Sequence, residues 1–500
     1  MAQKNLGNKK AGMHTELSRQ LTSPQIAMIA LSGALGTGLF LGAGSTIQHA
    51  GPATVISYML AGSLALAVVW ALAELVSAHP VPGGHGTVAA SYLGRFGGYL
   101  TRWNFAVTML VAVGAEVTAS AKYLHRWLPW LDQGLGTVLC SLFIVSLNLA
   151  TVRLYGTSEY WFSMIKVVAI SVFILLGLVI VFFGLPEQEP IGFVNLTAHD
   201  GFMPYGVPGI LAAACMAVFS FGGIENVSVS AAESQHPERD IPRAAHTMIW
   251  RLLLFYVGAI LVVVMIQPWT VTAQPLASIE QSPFVIALDA AGIPGAGHIM
   301  NAVLLVAALS AANGCLYSSS RMIHALAIDG MAPAFAARSS AHGAPRGAVL
   351  IATLGMVIAS VLAIVSPDAA FSYLYGCATV GILVTWVLTM LTHLAFRRRR
   401  AQLGLPDAPA RLWGAPVVPV LVIVASIAIF VALFWLIPVA WYAGIPYLVL
   451  LSASYLLVRR SPALAPVRDL AAEEYAELHG HKPGPLSPGA AQANARNTND

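Results

Sequence analysis

The sequence predicts an all-α polytopic membrane protein of about twelve transmembrane helices, and three observations carry that reading. Of its 500 residues, 57% are hydrophobic and only 10% charged, with a mean hydropathy of +0.73, whereas soluble domains are about 45–50% apolar and about 25% charged. Apolar stretches of about 20 residues, the length that crosses bilayer hydrocarbon as a helix, recur along the chain. Lys and Arg gather in alternate connections between those stretches.

Spans are expected near 24–48, 52–78, 97–124, 135–154, 157–184, 208–232, 244–267, 296–320, 346–366, 369–396, 416–438 and 441–458. Residues 1–20 form a polar, basic tail with no cleavable signal peptide, so the first span serves as its own insertion signal. With the N-terminus in the cytoplasm, the inner side receives Lys4, Lys9, Lys10, Arg19, Arg95, Arg153, Arg239, Arg243, Arg321, Arg338, Arg346, the run Arg397 to Arg400, Arg411, Arg459 and Arg460. The outer side holds only Lys122 and Arg126. Both termini are therefore expected inside, and the net charge of +4 reads as a topology signal with no call for nucleic acid. Cys140, Cys215, Cys315 and Cys377 fall in four different spans without metal-ligand spacing and read as small packing residues.

Two spans are interrupted. Ser32-Gly33-Ala34-Leu35-Gly36-Thr37-Gly38-Leu39-Phe40 places three glycines and two hydroxyls inside the first, so its helix is expected to break there. Hydrocarbon cannot satisfy the freed backbone groups, and the break must line a protein cavity or contact a solute. A half-helix starting near Thr37 or Gly38 offers free N–H groups and a positive dipole end to a carboxylate, while the preceding half offers carbonyls to an ammonium. Together these would receive both charged ends of an α-amino acid. Phe219-Ser220-Phe221-Gly222-Gly223-Ile224-Glu225 breaks the sixth span in the same way, as expected where two repeats of a transporter meet near the bilayer midplane. The competing reading of either glycine cluster is close helix packing through small residues.

Among the ionisable residues within spans, three are singled out by their depth or place. Glu74, near the inner end of the second, reads as a snorkelling or packing carboxylate. Glu116 in the third is deep enough to need a partner, a proton or a watery cavity. Lys166 lies about ten residues beyond Gly156, roughly 15 Å along a helix, too far to snorkel easily. It either releases its proton when desolvated, as a proton-coupled machine could use, or is a permanently paired structural lysine. The turn from Glu233 to Ala244 and a short helix over Ser319 to Gly330 are expected on the inner side. Beyond Arg460 the chain turns to Pro, Ala, Gly, Asn and acidic residues, a mostly disordered tail with one short helix near Leu470 to Leu478.

From about Arg19 to Arg460 these residues resemble the bacterial amino acid permeases of the amino acid–polyamine–organocation superfamily, particularly its amino acid transporter family. The likeness rests on Gly36 to Gly42, Pro80-Val81-Pro82-Gly83-Gly84, Ala115-Glu116-Val117-Thr118-Ala119, Tyr160-Trp161-Phe162 with Lys166, Phe219 to Glu225, Glu233 to Ala244, and Ser320-Arg321 with Asp329-Gly330 and Pro333. The chain departs from some relatives at Gly84-His85-Gly86, where an aromatic is frequent, and at Asn226.

The resemblance implies a LeuT-like core of two inverted five-helix repeats with broken helices 1 and 6, over residues 21–400. Two peripheral helices over 401–460 and a cytoplasmic tail over 461–500 complete it. It implies a substrate site of Ala34, Gly36, Thr37, Gly38, Leu39, Phe219, Ser220, Phe221, Gly222 and Gly223, with Phe219 covering the substrate. Lys166, Glu225 and Glu116 are then the residues for proton coupling and gating. The implied activity is import of amino acids with protons by alternating access across the bacterial inner membrane; an exchanger on the same fold and an amino acid sensor are the alternatives. No Gly-rich loop with Gly-Lys-Ser/Thr is present, so no nucleotide is expected to drive it, and neither an enzymatic activity nor a cofactor or metal is expected.

Overall fold

The computed structural model describes residues 21–149, 152–185, 189–275, 281–339 and 345–480; the N-terminal tail and residues 481–500 lie outside them. The first broken segment comprises α1 (Ser23–Ala34), α2 (Thr37–Phe40) and α3 (Ala43–Ala50). Then come α4 (Thr54–Ala78), α5 (Gly84–His125), α6 (Gln133–Leu149) and α7 (Val152–Phe183). The second broken segment comprises α8 (Gly206–Ala217) and α9 (Asn226–Ser230). It is followed by α10 (Pro237–Leu252), continued through a π turn into α11 (Ala259–Ile266). After these come α12 (Pro283–Ala290), α13 (Ala296–Ile328), α14 (Arg346–Ala352), α15 (Leu354–Val365) and α16 (Pro367–Leu403). The chain closes with α17 (Val417–Leu436), α18 (Pro438–Val458) and α19 (Leu470–Leu478). Among the described residues, ten helical stretches are long and apolar enough to cross a membrane, and α6 is a shorter apolar helix.

Three elements run longer than the sequence suggests. α5 begins at Gly84 rather than near 97, with a non-helical Gly94 (φ 76°, ψ −179°) at a kink, a conformation that glycine adopts without strain. α13 continues to Ile328, so the short helix expected over Ser319 to Gly330 is the end of the span itself. Two of its polar side chains are held by neighbouring elements: Ser319 donates to Ala106 O at 2.8 Å and Arg321 pairs with Glu233. α16 likewise reaches Leu403.

α5 is the central post, packed along α13 and α16. Small residues allow the approach: a Cβ at Gly381 of α16 would lie 1.9 Å from Thr108 Oγ1 of α5. Asn104 Nδ2 donates to Gly381 O at 2.9 Å and Thr385 Oγ1 at 3.0 Å, the small-residue contacts and interhelical hydrogen bonds that hold helices where no hydrophobic force separates them from lipid. α17 and α18 are the least enclosed spans, with Leu421, Val424 and Ile427 exposed, as the peripheral position expected for them requires.

The bundle end that carries Arg397 to Arg400 is closed by ion pairs. Glu233 accepts from Arg321 Nε at 3.2 Å and from the Tyr317 hydroxyl at 2.5 Å. Arg102 pairs with Asp329. Glu74 is no snorkeller: it is buried and accepts from Arg397 Nε at 2.7 Å and from Leu412 N–H at 2.7 Å, with His393 Nε2 at 2.9 Å. The helix expected near Leu470 to Leu478 docks on this basic end: Arg400 pairs with Glu474, Arg399 with Asp469, and Leu470 N–H donates to Ser91 Oγ at 3.0 Å.

Candidate functional site

The first helix breaks where the glycines fall. α1 stops at Ala34, and Gly36 is extended (φ −122°, ψ −164°) as α2 starts at Thr37. The Thr37 N–H is occupied by this chain's own carboxyl group: both Glu116 side-chain oxygens lie 3.2 Å away. Gly36 makes room for that carboxylate, since a Cβ there would lie 2.5 Å from Glu116 Oε1. The Thr37 hydroxyl is buried beside the same Glu116 side chain. Of the partner, proton or cavity that Glu116 needs at its depth, the structure supplies a partner in the Thr37 N–H and a small cavity beside it, and the residue faces the break.

The second break lies directly against the first. α8 tightens into a 3-10 turn over Val218–Phe221, Gly222 is extended, and Gly223 takes a positive φ of 96°. A Cβ at Gly38 would lie 2.6 Å from Ser220 Cα and 2.9 Å from Phe219 Cδ1. The glycines thus serve both readings: they open the backbone, and at Gly38 they let the two breaks touch. Glu225 caps its own break, accepting from Gly223 N–H at 3.0 Å with one oxygen and from Trp386 Nε1 at 2.8 Å with the other.

Three tyrosines hold the second break in shape. Tyr256 donates to Ser220 O at 2.5 Å, Tyr375 donates to Met216 O, and Tyr58 meets Ser220 Oγ at 3.3 Å. Phe219 packs on Tyr375 with ring centroids 4.2 Å apart, while Phe221 stacks on Tyr256 at 4.5 Å. A freed carbonyl in a buried break needs a donor, and hydroxyls from α11's approach and α16 supply it.

Lys166 is fully buried on α7 and points inward, donating to Leu35 O at 3.4 Å, the carbonyl just before the break. Seven residues earlier on that helix, Glu159 is also fully buried, accepting from Ser310 Oγ at 2.5 Å and Asn313 Nδ2 at 2.7 Å. Lys166 thus stands within the electrostatic reach of Glu159 and Glu116.

Between the breaks lies a cavity of about 20 Å³, lined by Gly36, Gly38, Glu116, Phe219, Ser220 and Gly222 with Met109, Ala112, Cys315 and Ile382. That is room for about one water molecule, so an amino acid enters only if these walls separate. Of the other residues expected in the site, Thr37 meets Glu116 through its N–H, and Leu39, Phe221 and Gly223 are buried but do not line the cavity. Ala34 ends α1. Glu225 and Lys166 flank the cavity without lining it. Reading the sequence missed Glu159 and the three tyrosines. A helical spacing of seven, two turns on one face from Lys166, was the available signal for Glu159.

Comparison with known proteins agrees with this architecture. Residues 25–462 match the family model described as amino acid permease. An aromatic amino acid transport protein, AroP, of Escherichia coli K12 is 36% identical over 391 residues, covering 78% of this chain and 84% of that protein. An L-asparagine permease of Streptomyces coelicolor is 36% identical over 426 residues, covering 84% of this chain and 85% of that one. The fold matches that of a Na⁺-coupled sialic acid symporter solved in a substrate-bound outward-open state, with a TM-score of 0.52 at 10% identity over 83% of this chain and 93% of that one. The broken helices, their contact at Gly38 and the family match over nearly the whole chain lead to one conclusion: this protein belongs to the amino acid permease family, a transporter and not an enzyme.

Proposed function

We propose that this permease imports neutral α-amino acids together with protons by alternating access, across a bacterial inner membrane with the basic end and both termini in the cytoplasm. The observation that carries this is the carboxylate of Glu116 on the Thr37 N–H, an internal anion in the seat suited to a substrate carboxylate. For a substrate to take that seat Glu116 must leave it, and protonation removes the charge that holds it there. A proton and an amino acid are thereby admitted together. The substrate ammonium turns to the carbonyls near Leu35, Phe219 and Ser220, Phe219 covers it, and Lys166 and Glu225 bias the two breaks between their arrangements. The side-chain wall of Met109, Ala112, Cys315 and Ile382 has no ionised group, which suits aromatic or amide side chains like those in the relatives' names. The excess of Lys and Arg in alternate connections supports the orientation.

Uptake into proteoliposomes tests this, with each of the twenty amino acids competing against labelled L-phenylalanine or L-asparagine. The expected result is accumulation driven by an inward proton gradient without sodium, abolished by a protonophore and by Glu116→Gln, which has no proton to take up or release. Uptake that appears only with amino acid trapped inside identifies an exchanger instead. Proton coupling that survives Glu116→Gln but not Lys166→Ala would move the role to α7.

A further inference from the structure

At the basic end, α10 carries a stripe of side chains that the breaks do not use. Arg239, Arg243, His246 and Trp250 are all exposed, Trp250 by 67%. With 3.6 residues per turn, these four positions fall within about 60° of one another around the helix and spread along about 16 Å of its axis. Leu254, 56% exposed at the π turn, follows four residues on.

The acids of this helix are kept off the stripe. Asp240 is buried and turned into the bundle, accepting from Ser23 Oγ at 2.6 Å and from Ser234 Oγ at 2.8 Å. Glu238 sits about 100° round the helix, 3.9 Å from His236. At the same end Arg102, Arg321, Arg397 and Arg400 all have carboxylate partners, whereas Arg239 and Arg243 pair with none among the described residues.

Depth decides what the stripe meets. The helical run Pro237–Ile266 has 30 residues, about 45 Å, while bilayer hydrocarbon is about 30 Å thick. Its last part, Ala259–Ile266, is wholly apolar, so the surplus length lies at the start, and about ten residues there stand among the headgroups. That places Arg239, Arg243 and His246 at the level of the phosphates and Trp250 at the edge of the hydrocarbon, where indole rings settle. Guanidinium groups bind phosphate through charge-assisted hydrogen bonds. A dissolved anion would use the cations alone; a ligand that also covers Trp250 and Leu254 needs an apolar chain.

We propose that this stripe binds an anionic phospholipid, with its phosphate on Arg239 and Arg243 beside His246 and its acyl chain along Trp250 and Leu254. The site stands on the joint between the two broken helices: Leu21 N–H donates to Glu233 O at 3.1 Å, Gln235 N–H donates to Leu21 O at 3.3 Å, and Ser23 of α1 donates to Asp240. A lipid held here anchors the start of the first broken helix to the membrane surface. The proposal depends neither on which amino acid is carried nor on what drives it.

Native mass spectrometry of the full purified chain tests this, by counting lipids retained on release from micelles that contain equal phosphatidylglycerol and phosphatidylcholine. One phosphatidylglycerol should be retained in preference to phosphatidylcholine. Arg239→Gln with Arg243→Gln should weaken that binding about thirtyfold, the combined effect of two basic side chains at a membrane surface. Arg239→Lys with Arg243→Lys keeps both charges and should keep most of the preference. Trp250→Ala should weaken retention as well, and glycerol 3-phosphate, which has the phosphate without the chains, should not displace the lipid. Arg459 and Arg460, exposed just beyond α18, provide the control: Arg459→Gln with Arg460→Gln removes the same charge and should leave retention unchanged. An equal loss in that control would reduce the preference to net charge and overturn the proposal. Equal retention of the two lipids by the unaltered chain, or displacement by glycerol 3-phosphate, would overturn it too.

Discussion

The two ends of the bundle are built on opposite electrostatic terms. At the basic end, Glu233 and Arg321 are 0% and 2% exposed, and Tyr317, stacked on Tyr155 at 4.0 Å, joins them. Glu74 is shared among three partners from α16 and the segment after it. At the opposite end, the one ion pair among the described residues, Arg126 with Asp289, is 20% and 43% exposed. Removing one partner of a buried pair strands an uncompensated charge, costing about 3–5 kcal/mol, while exposed pairs contribute about 0–1 kcal/mol. One end is clasped and the other merely latched. Opening the basic end therefore requires water to replace several buried pairs together, whereas the opposite end holds one half-exposed pair.

The largest test of that difference is Arg321→Met, which leaves Glu233 buried and unpaired. A loss of about 3–5 kcal/mol is expected, read as a lower unfolding midpoint in detergent together with faster labelling of a cysteine placed at Ser228. A change under about 1 kcal/mol would erase the distinction between the ends.

Acid should act next most strongly, and also at the basic end. His79 follows α4 and is 5% exposed; burial first, then the nearby Arg400, hold its imidazole down to a pKa of about 4. Unfolded, it titrates near about 6.5, so between these values the unfolded chain binds the extra proton and stability rises with pH. Lowering the pH through that window should remove up to about 3 kcal/mol, and His79→Gln should flatten the profile. An unchanged profile in His79→Gln would assign the acid sensitivity elsewhere.

The smallest stability effect is expected at the other end. Arg126→Gln should shift stability by no more than about 1 kcal/mol, in the same unfolding assay. A loss as large as that of Arg321→Met would show that this end is clasped as well.

The breaks were legible in the sequence because a glycine cluster inside an apolar span signals either an opened backbone or a close helix contact, and here it is both. The C-terminal helix was legible from its composition, and the depth of Lys166 followed from helix rise alone. What escaped was whatever depended on a partner far along the chain. Trp386, which binds Glu225 from α16, and Tyr256 and Tyr375, whose hydroxyls serve the broken backbone, are aromatics in apolar spans, where core packing is the default reading. Glu159 was hidden by lying at the expected edge of its span, where a carboxylate is ordinary; only the fold turns it toward Ser310 and Asn313.

Glu116 at Thr37 has one more consequence, for selectivity. A carboxylate tethered to the same chain faces that N–H at an effective concentration on the order of millimolar. A dissolved anion at micromolar levels stands about a thousandfold behind it, or roughly 4 kcal/mol. On the proposed mechanism, a lone carboxylate has nothing else to offer the two breaks and is turned away. An amino acid also brings an ammonium to the carbonyls around the break, and that second charge supplies the difference. On that mechanism the tethered glutamate acts as a threshold that single-ended ions do not cross and zwitterions do.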